Sequence, residues 1–298
     1  MENQEEMKAA VREKYGELAR AGEGSCCAAG GCCGTGEGIT NMSDDYTGLE
    51  GYVPEADLGL GCGLPTEAAD LKPGQSVLDL GSGAGNDAFI ARRAVGESGE
   101  VIGVDMTPDM IRKSRENLAK LGYGNVAFRL GELEALPVES GTMDRVLSNC
   151  VLNLVPDKAK AFAEIHRVLR PGGGFGISDV VLEGDLPPSL RAAAEMYVGC
   201  ISGALGKSDY LGMLRESGFV GVEVVKEKAI TIPEDLLAAH LDASQRADLD
   251  RAGVRVLSVT VKGTKPNPST ESAEAKATAP CCIPLGKAPA GKPAGSCC

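Results

Sequence analysis

The stretch "VLDLGSGAGND", residues 77–87, constrains the fold more than any other part of the chain. A short apolar run ends in an acid, turns through glycines at alternate positions and enters a helical pattern. Gly81, Gly83 and Gly85 permit a tight turn and leave room for a ligand against the backbone. The helix that follows would present unpaired N–H groups to that ligand. The spacing is G-x-G-x-G, which differs from the G-x-G-x-x-G of a dinucleotide-binding loop. Asp79 would repel a diphosphate, whereas its carboxylate suits a cationic, amine-bearing ligand.

The segments that follow repeat the same strand–helix alternation. Strands are expected at 76–80, 100–105, 126–132, 143–150 and 172–181, separated by helices over 87–95, 108–122 and 157–169. Met110, Ile111, Leu118 and Leu121 form an apolar stripe on the second helix, and Pro108 suits its first turn. Helices around 188–203 and 208–217 and two more strands, "VEVVKEKAI" and "RVLSVTVKG", complete the pattern. The simplest closure is an α/β fold, a doubly wound and mostly parallel sheet. Asp105, ending the second strand, stands where a carboxylate takes both hydroxyls of a ribose. Glu132 and Leu133 follow the third strand at the same carboxyl edge.

Three zones are expected. Residues 1–65 hold a helix and the loop "GEGSCCAAGGCCGTGEG"; residues 66–264 hold the α/β domain; residues 265–298 are a Pro-, Ala- and Lys-rich tail. The tail carries too little apolar surface to offset its ordering entropy, so disorder is expected there. The net charge of −12 argues against nucleic acid as a partner. No run approaches the roughly 18 apolar residues of a membrane span, and the opening "MENQEEMKAA" lacks the pattern of a secretory signal. A cytoplasmic, monomeric protein is expected.

On "LDLGSGAG", "VIGVDMT", "GELEALP" and "RVLRPGGGF", residues 66–264 resemble the Rossmann-like S-adenosylmethionine-dependent methyltransferases. The resemblance implies that Asp79, Gly81, Ser82 and Gly83 cradle the methionine part of that cofactor. It further implies Asp105 on the ribose, Met106 packed on the adenine, Glu132 and Leu133 at the adenine edge, and Asn149 at the sulfonium end.

Methylation of oxygen, nitrogen or carbon often needs a base or a metal, and neither of the 2 histidines, His166 and His240, adjoins a recognisable substrate loop. The chain has instead 11 cysteines, an odd count that suits reduced thiols better than a disulfide framework. Cys62, Cys150 and Cys200 stand apart from one another at positions expected around the methyl donor. Any one of them could be a small core hydrophobe; three around one pocket suit a soft, thiophilic centre. Trivalent arsenic bonds three sulfurs and keeps a lone pair, a nucleophile that needs no base.

"GLGCGLP", "SNCVLNLVPDK", "RVLRPGG" and "GCISGAL" are similar to the arsenite methyltransferases over most of residues 50–220. That resemblance implies Cys62, Cys150 and Cys200 as ligands of As(III), with arsenic detoxification as the role. It also implies a further N-terminal cysteine in redox work, matched best by Cys32 or Cys33, with Cys26 and Cys27 as competitors. A thiol reductant, either a small thiol or a thioredoxin-like protein, is then a co-substrate. Cys281–Cys282 and Cys297–Cys298 would capture arsenite for the core. Two other readings stay open: a small-molecule C- or O-methyltransferase of the quinone-modifying kind, and a metalloid-sequestering protein without activity.

Overall fold

In the computed structural model the described residues are 2–21, 44–186, 203–231, 234, 237–238 and 241–268. They form a seven-stranded sheet in the order β3-β2-β1-β4-β5-β7-β6. The strands are β1 Ser76–Leu80, β2 Glu100–Asp105, β3 Val126–Leu130, β4 Met143–Asn149, β5 Leu169–Glu183, β6 Val220–Ile230 and β7 Arg255–Thr264. The first five pair in parallel, and β7 runs antiparallel between β5 and β6. The helices are α1 Glu2–Ala21, α2 Pro65–Ala68, α3 Asn86–Val95, α4 Pro108–Leu121, α5 Lys158–Val168, α6 Lys207–Glu216 and α7 Ala243–Ala252. The mostly parallel α/β fold expected from the sequence is the fold observed.

The central strands are buried on both faces, which is why they read as continuous apolar runs rather than as alternation. On one face Leu78, Val146, Ile177 and Val259 pack with Phe162 and Ile165 of α5 and Tyr210 of α6. On the other, Val77, Val101 and Leu147 pack with Phe89 of α3 and Ile111 of α4. Full burial of one such Leu or Phe is worth roughly 2 kcal/mol. The helices end where the chain says they should: Pro108 opens α4, and Gly122, with φ of 68°, closes it.

Residues up to Pro266 form one compact unit. It includes α1, which lies against α4 through the Arg20–Asp109 ion pair. Asn267–Cys298 form the second unit, of which only the first two residues are described. The helix expected around 188–203 falls almost wholly outside the described residues, as do His240 and the cysteines at 26, 27, 32, 33, 200, 281, 282, 297 and 298.

Strand order reverses between β1 and β4. In open α/β sheets a ligand crevice forms at that reversal, beyond the carboxyl ends of the strands. Asp79 on β1 and Asn149 on β4 stand on its two sides.

Candidate functional site

A cleft with about 1080 Å³ of free space, open mouth included, occupies this crevice. The glycine loop makes its floor. Gly81 has φ of 63°, and a Cβ there would lie 2.4 Å from Val151 Cγ2. Gly85, with φ of 103°, is the residue before α3, and a Cβ there would press on the rings of Phe89 and Phe128. The loop is fixed to β2 by the Ser82 N–H on Val104 O at 3.1 Å. Gly83 N–H donates to Asp105 Oδ2 at 3.0 Å, and Thr107 N–H to Asp105 Oδ1 at 2.8 Å.

The lining is strongly acidic. Asp57, Asp79, Asp87, Asp105 and Glu134 face the cleft, and Lys8 is the one cationic side chain among its lining residues. Burial pushes the Asp79 carboxyl well above the ordinary range, and the charges of Asp87 and Asp105 push it the same way. Burial raises Asp87 to about 6 against the hydrogen bonds of Asn149 and Tyr46. Burial raises Asp105 too, opposed by the N–H groups of Thr107 and Gly83. Asp79 Oδ2, Ser82 Oγ and Asn86 Oδ1 are buried in this lining without a hydrogen-bond partner. Unsatisfied buried acceptors are costly, and clustered carboxylates repel one another. A ligand bearing positive charge and N–H or O–H donors would relieve both.

At the far side Asn149 joins four groups. Its Nδ2 lies 3.0 Å from Asp87 Oδ2, 2.9 Å from Gly63 O and 2.5 Å from Tyr46 Oη. Its Oδ1 accepts the Cys62 N–H at 2.9 Å. The Tyr46 hydroxyl donates to Gly63 O at 2.9 Å and lies 3.1 Å from Asp87 Oδ1. Ser258 donates to Cys62 O. The glycines beside Cys62 are what permit this approach: a Cβ on Gly61 would meet Asn149 Nδ2 at 2.8 Å, and one on Gly63 would meet Ser178 Oγ at 2.5 Å.

Cys150 follows Asn149 directly and lines the cleft. Its N–H donates to Ser178 O at 2.8 Å, and its φ is 59°, a left-handed conformation rare outside glycine. Cys62 and Cys150 are both buried, neither is in a disulfide, and they share one apolar cluster with Val180, Leu182 and Val256. Among the described residues no three His, Cys, Asp or Glu converge as a metal-ion site; Cys200 lies outside those residues.

Of the residues singled out in the sequence, Asp79, Gly81, Ser82, Gly83, Asp105 and Met106 line the cleft, with Leu133, Asn149 and Cys150. Cys62 adjoins it through Gly61. Glu132 is turned to Lys8, whose Nζ lies 2.7 Å from Glu132 Oε2 and 3.0 Å from Glu134 Oε1, and Glu134 is the acid that reaches the lining. Burial pulls the Lys8 ammonium down, but its bonds to Glu132 and Glu134 outweigh this and raise it. Sequence reasoning missed Tyr46, Asp87 and the contribution of α1. Only Asp87 left a signal, an acid in the first turn of the helix after the glycine loop.

This sheet order, with a glycine loop and an acid-lined crevice at the reversal, defines a Rossmann-like methyltransferase domain, and residues 71–218 match a family model described as a methyltransferase domain. A curated arsenite methyltransferase of Halobacterium salinarum is 42% identical over 273 residues, 88% of this chain and 67% of its own length. One from Aquipseudomonas alcaligenes is 39% identical over 188 residues, 61% of this chain and 54% of its own length. Among solved structures, an arsenic(III) S-adenosylmethionine methyltransferase from Chlamydomonas reinhardtii superposes with a TM-score of 0.59 at 34% identity, covering 78% of this chain and 75% of that one. The chain belongs to the arsenite methyltransferase family. It spans about two thirds of the halobacterial relative and about half of the pseudomonad one.

Proposed function

We propose that the protein transfers the methyl group of S-adenosylmethionine to trivalent arsenic held by Cys62, Cys150 and Cys200. The observation that carries this reading is the pair of buried thiols sharing one apolar cluster beside an acid-lined cleft, one of them held in left-handed backbone. Gly203, three residues after Cys200, supports the third ligand: it packs against Asn153, three residues after Cys150, so closely that a Cβ would lie 1.9 Å from Asn153 O.

In this reading Asp79, Ser82 and the N–H groups around Gly81 and Gly83 hold the methionine part of the donor. Asp105 takes the ribose, Met106 and Leu133 flank the adenine, and Asn149 and Asp87 face the sulfonium. The donor supplies an electrophilic methyl on a cationic sulfur. The chain's thiols displace hydroxide from arsenite as water, one S–H proton for each As–OH, so that step neither releases nor takes up a net proton. The arsenic lone pair forms the As–C bond while the C–S pair returns to the sulfonium sulfur. Holding lone pair and methyl in a near-attack arrangement is then the main catalytic contribution. Arsenic is formally oxidised by two electrons, which two thiols return by closing a disulfide and releasing their two protons; Cys32 or Cys33 fits as one of the two.

A small thiol or thioredoxin-like protein would reopen the disulfide. We place this chemistry in the cytoplasm, in a monomer that detoxifies arsenic and binds neither nucleic acid nor membrane. The net charge of −12 argues against a nucleic-acid partner, and among the described residues no helix is long and apolar enough to cross a membrane.

The test is incubation with arsenite, S-adenosylmethionine and a thiol, followed by mass-resolved arsenic speciation. Methylated arsenic should form with the wild type and be lost in Cys62→Ser, Cys150→Ser and Cys200→Ser, each of which should still bind the donor. Unchanged methylation by Cys150→Ser would overturn the arsenic site.

A further inference from the structure

We infer that α1 is part of the donor site: Val11 and Tyr15 close over the adenine, and Lys8, gripped by Glu132 and Glu134, fixes the helix there. The inference rests on the donor reading above and adds to it residues that lie about 60 positions or more ahead of the glycine loop.

Lys8, Val11, Tyr15 and Ala19 follow at intervals of three and four residues, so they share one stripe of the helix. That stripe faces inward. Lys8 and Ala19 are buried although α1 lies at the surface, and Val11 and Tyr15 are half-buried. Lys8, Val11 and Tyr15 line the same cleft as Met106, Met110 and Leu133. Lysine is seldom this buried unless its charge is paired. Here it is paired twice, by the two acids that flank Leu133. At the other end Arg20 pairs with Asp109 in the first turn of α4. The helix is therefore fastened on both sides of the cleft wall that follows β2 and β3.

The charge pattern says which part of a ligand lies under it. Asp79, Asp87 and Asp105 leave the glycine-loop end of the cleft anionic. Around Leu133 the ammonium of Lys8 ties both Glu132 and Glu134 and cancels one of their two charges, so this end is less anionic than the other. A cationic group belongs at the first end and a neutral aromatic base at the second. Apolar and aromatic side chains are the surfaces on which a base packs, and α1 supplies one face of that slot while Met106 and Leu133 supply the other.

Calorimetry on the full chain tests this, with methylthioadenosine as a probe that carries the base and ribose but no amino-acid part. Val11→Ala combined with Tyr15→Ala should weaken its binding about tenfold, the loss of one good packing face. Lys8→Met, which releases the helix, should weaken it similarly. Trypsin cleavage at Arg12 and Lys14 should slow when the wild type is saturated with the probe, a readout that does not depend on how the variants fold. Binding of methylthioadenosine within about twofold of wild type in all variants, or cleavage indifferent to the probe, would overturn the inference and leave the donor reading intact. A wild type that binds neither methylthioadenosine nor S-adenosylhomocysteine would overturn both.

Discussion

Asn149 holds Cys62 through the main chain: its Oδ1 accepts the Cys62 N–H at 2.9 Å, and the residue that follows it is Cys150. One side chain thus fixes the position of one thiol while its own backbone carries the other. The same amide touches Asp87, on the side of the cleft assigned to the donor.

Asn149→Ala should therefore slow the reaction. It removes the acceptor for Cys62 and the donor to Asp87 and Gly63. Each unsatisfied buried group costs about 1–3 kcal/mol, and a lost near-attack geometry costs about a hundredfold in rate. Initial rates of arsenite methylation should fall by about that factor, with thiol content unchanged. A rate within about threefold of wild type would remove Asn149 from the positioning role.

Cys150 is held at φ of 59°, where a side chain is strained and glycine is not. Both Cys150→Gly and Cys150→Ala delete the thiol. The glycine variant should be the more stable by about 1 kcal/mol, because the left-handed backbone costs it nothing. Denaturant midpoints compare the two directly. Equal midpoints would mean that the backbone relaxes freely and that the conformation stores no strain.

Gly81→Ala meets two separate obstacles, a left-handed φ and a Cβ only 2.4 Å from Val151 Cγ2. Donor binding should be lost. Pairing it with Val151→Ala should recover part of the affinity, since the clash is with a side chain, while the backbone cost of about 1–2 kcal/mol remains. Calorimetry on the single and double variants measures the recovery, and a double variant no better than Gly81→Ala would show that the backbone alone decides.

The acid cluster gives stability and donor binding opposite responses to pH. Asp87 titrates at about 6 in the fold, above the ordinary aspartate value of about 3.9. A carboxyl whose folded value is raised contributes stability that is fully present below the unfolded value and is lost as pH rises through the folded one. From this group the ligand-free protein should gain stability as pH falls from about 7 to about 4, and Asp79, also raised by burial, adds to the same trend. Binding of the cationic donor needs the ionised form and should weaken over the same interval. Melting curves of Asp87→Asn should lose part of the first response, and donor titrations part of the second. An Asp87→Asn profile parallel to that of wild type would remove Asp87 as the titrating group.

Local pattern carried most of the fold. The strand over 100–105 ends where "EVIGVD" ends, and the helix opened by Pro108 stops before Gly122, because burial on both faces and helix-end chemistry are written in adjacent residues. The pocket residues on the glycine loop and at strand ends were legible for the same reason. Those that depend on distant pairing were not. Tyr46 lies in irregular chain and meets Asp87 across 41 positions, with no periodic signal to mark it. The tight turn after β3, with its isolated bridge between Glu132 and Ala135, decides which of two nearby acids reaches the cleft. On α1 the inward stripe contains a lysine, so the helix reads as polar on all sides until its two acidic partners are seen.

The three carboxylates at the glycine-loop end also give the site a direction in time. Methyl transfer takes the positive charge off the donor's sulfur, so the spent molecule leaves those acids facing one another with less to neutralise them. At this end of the cleft, electrostatics therefore favours fresh donor over spent.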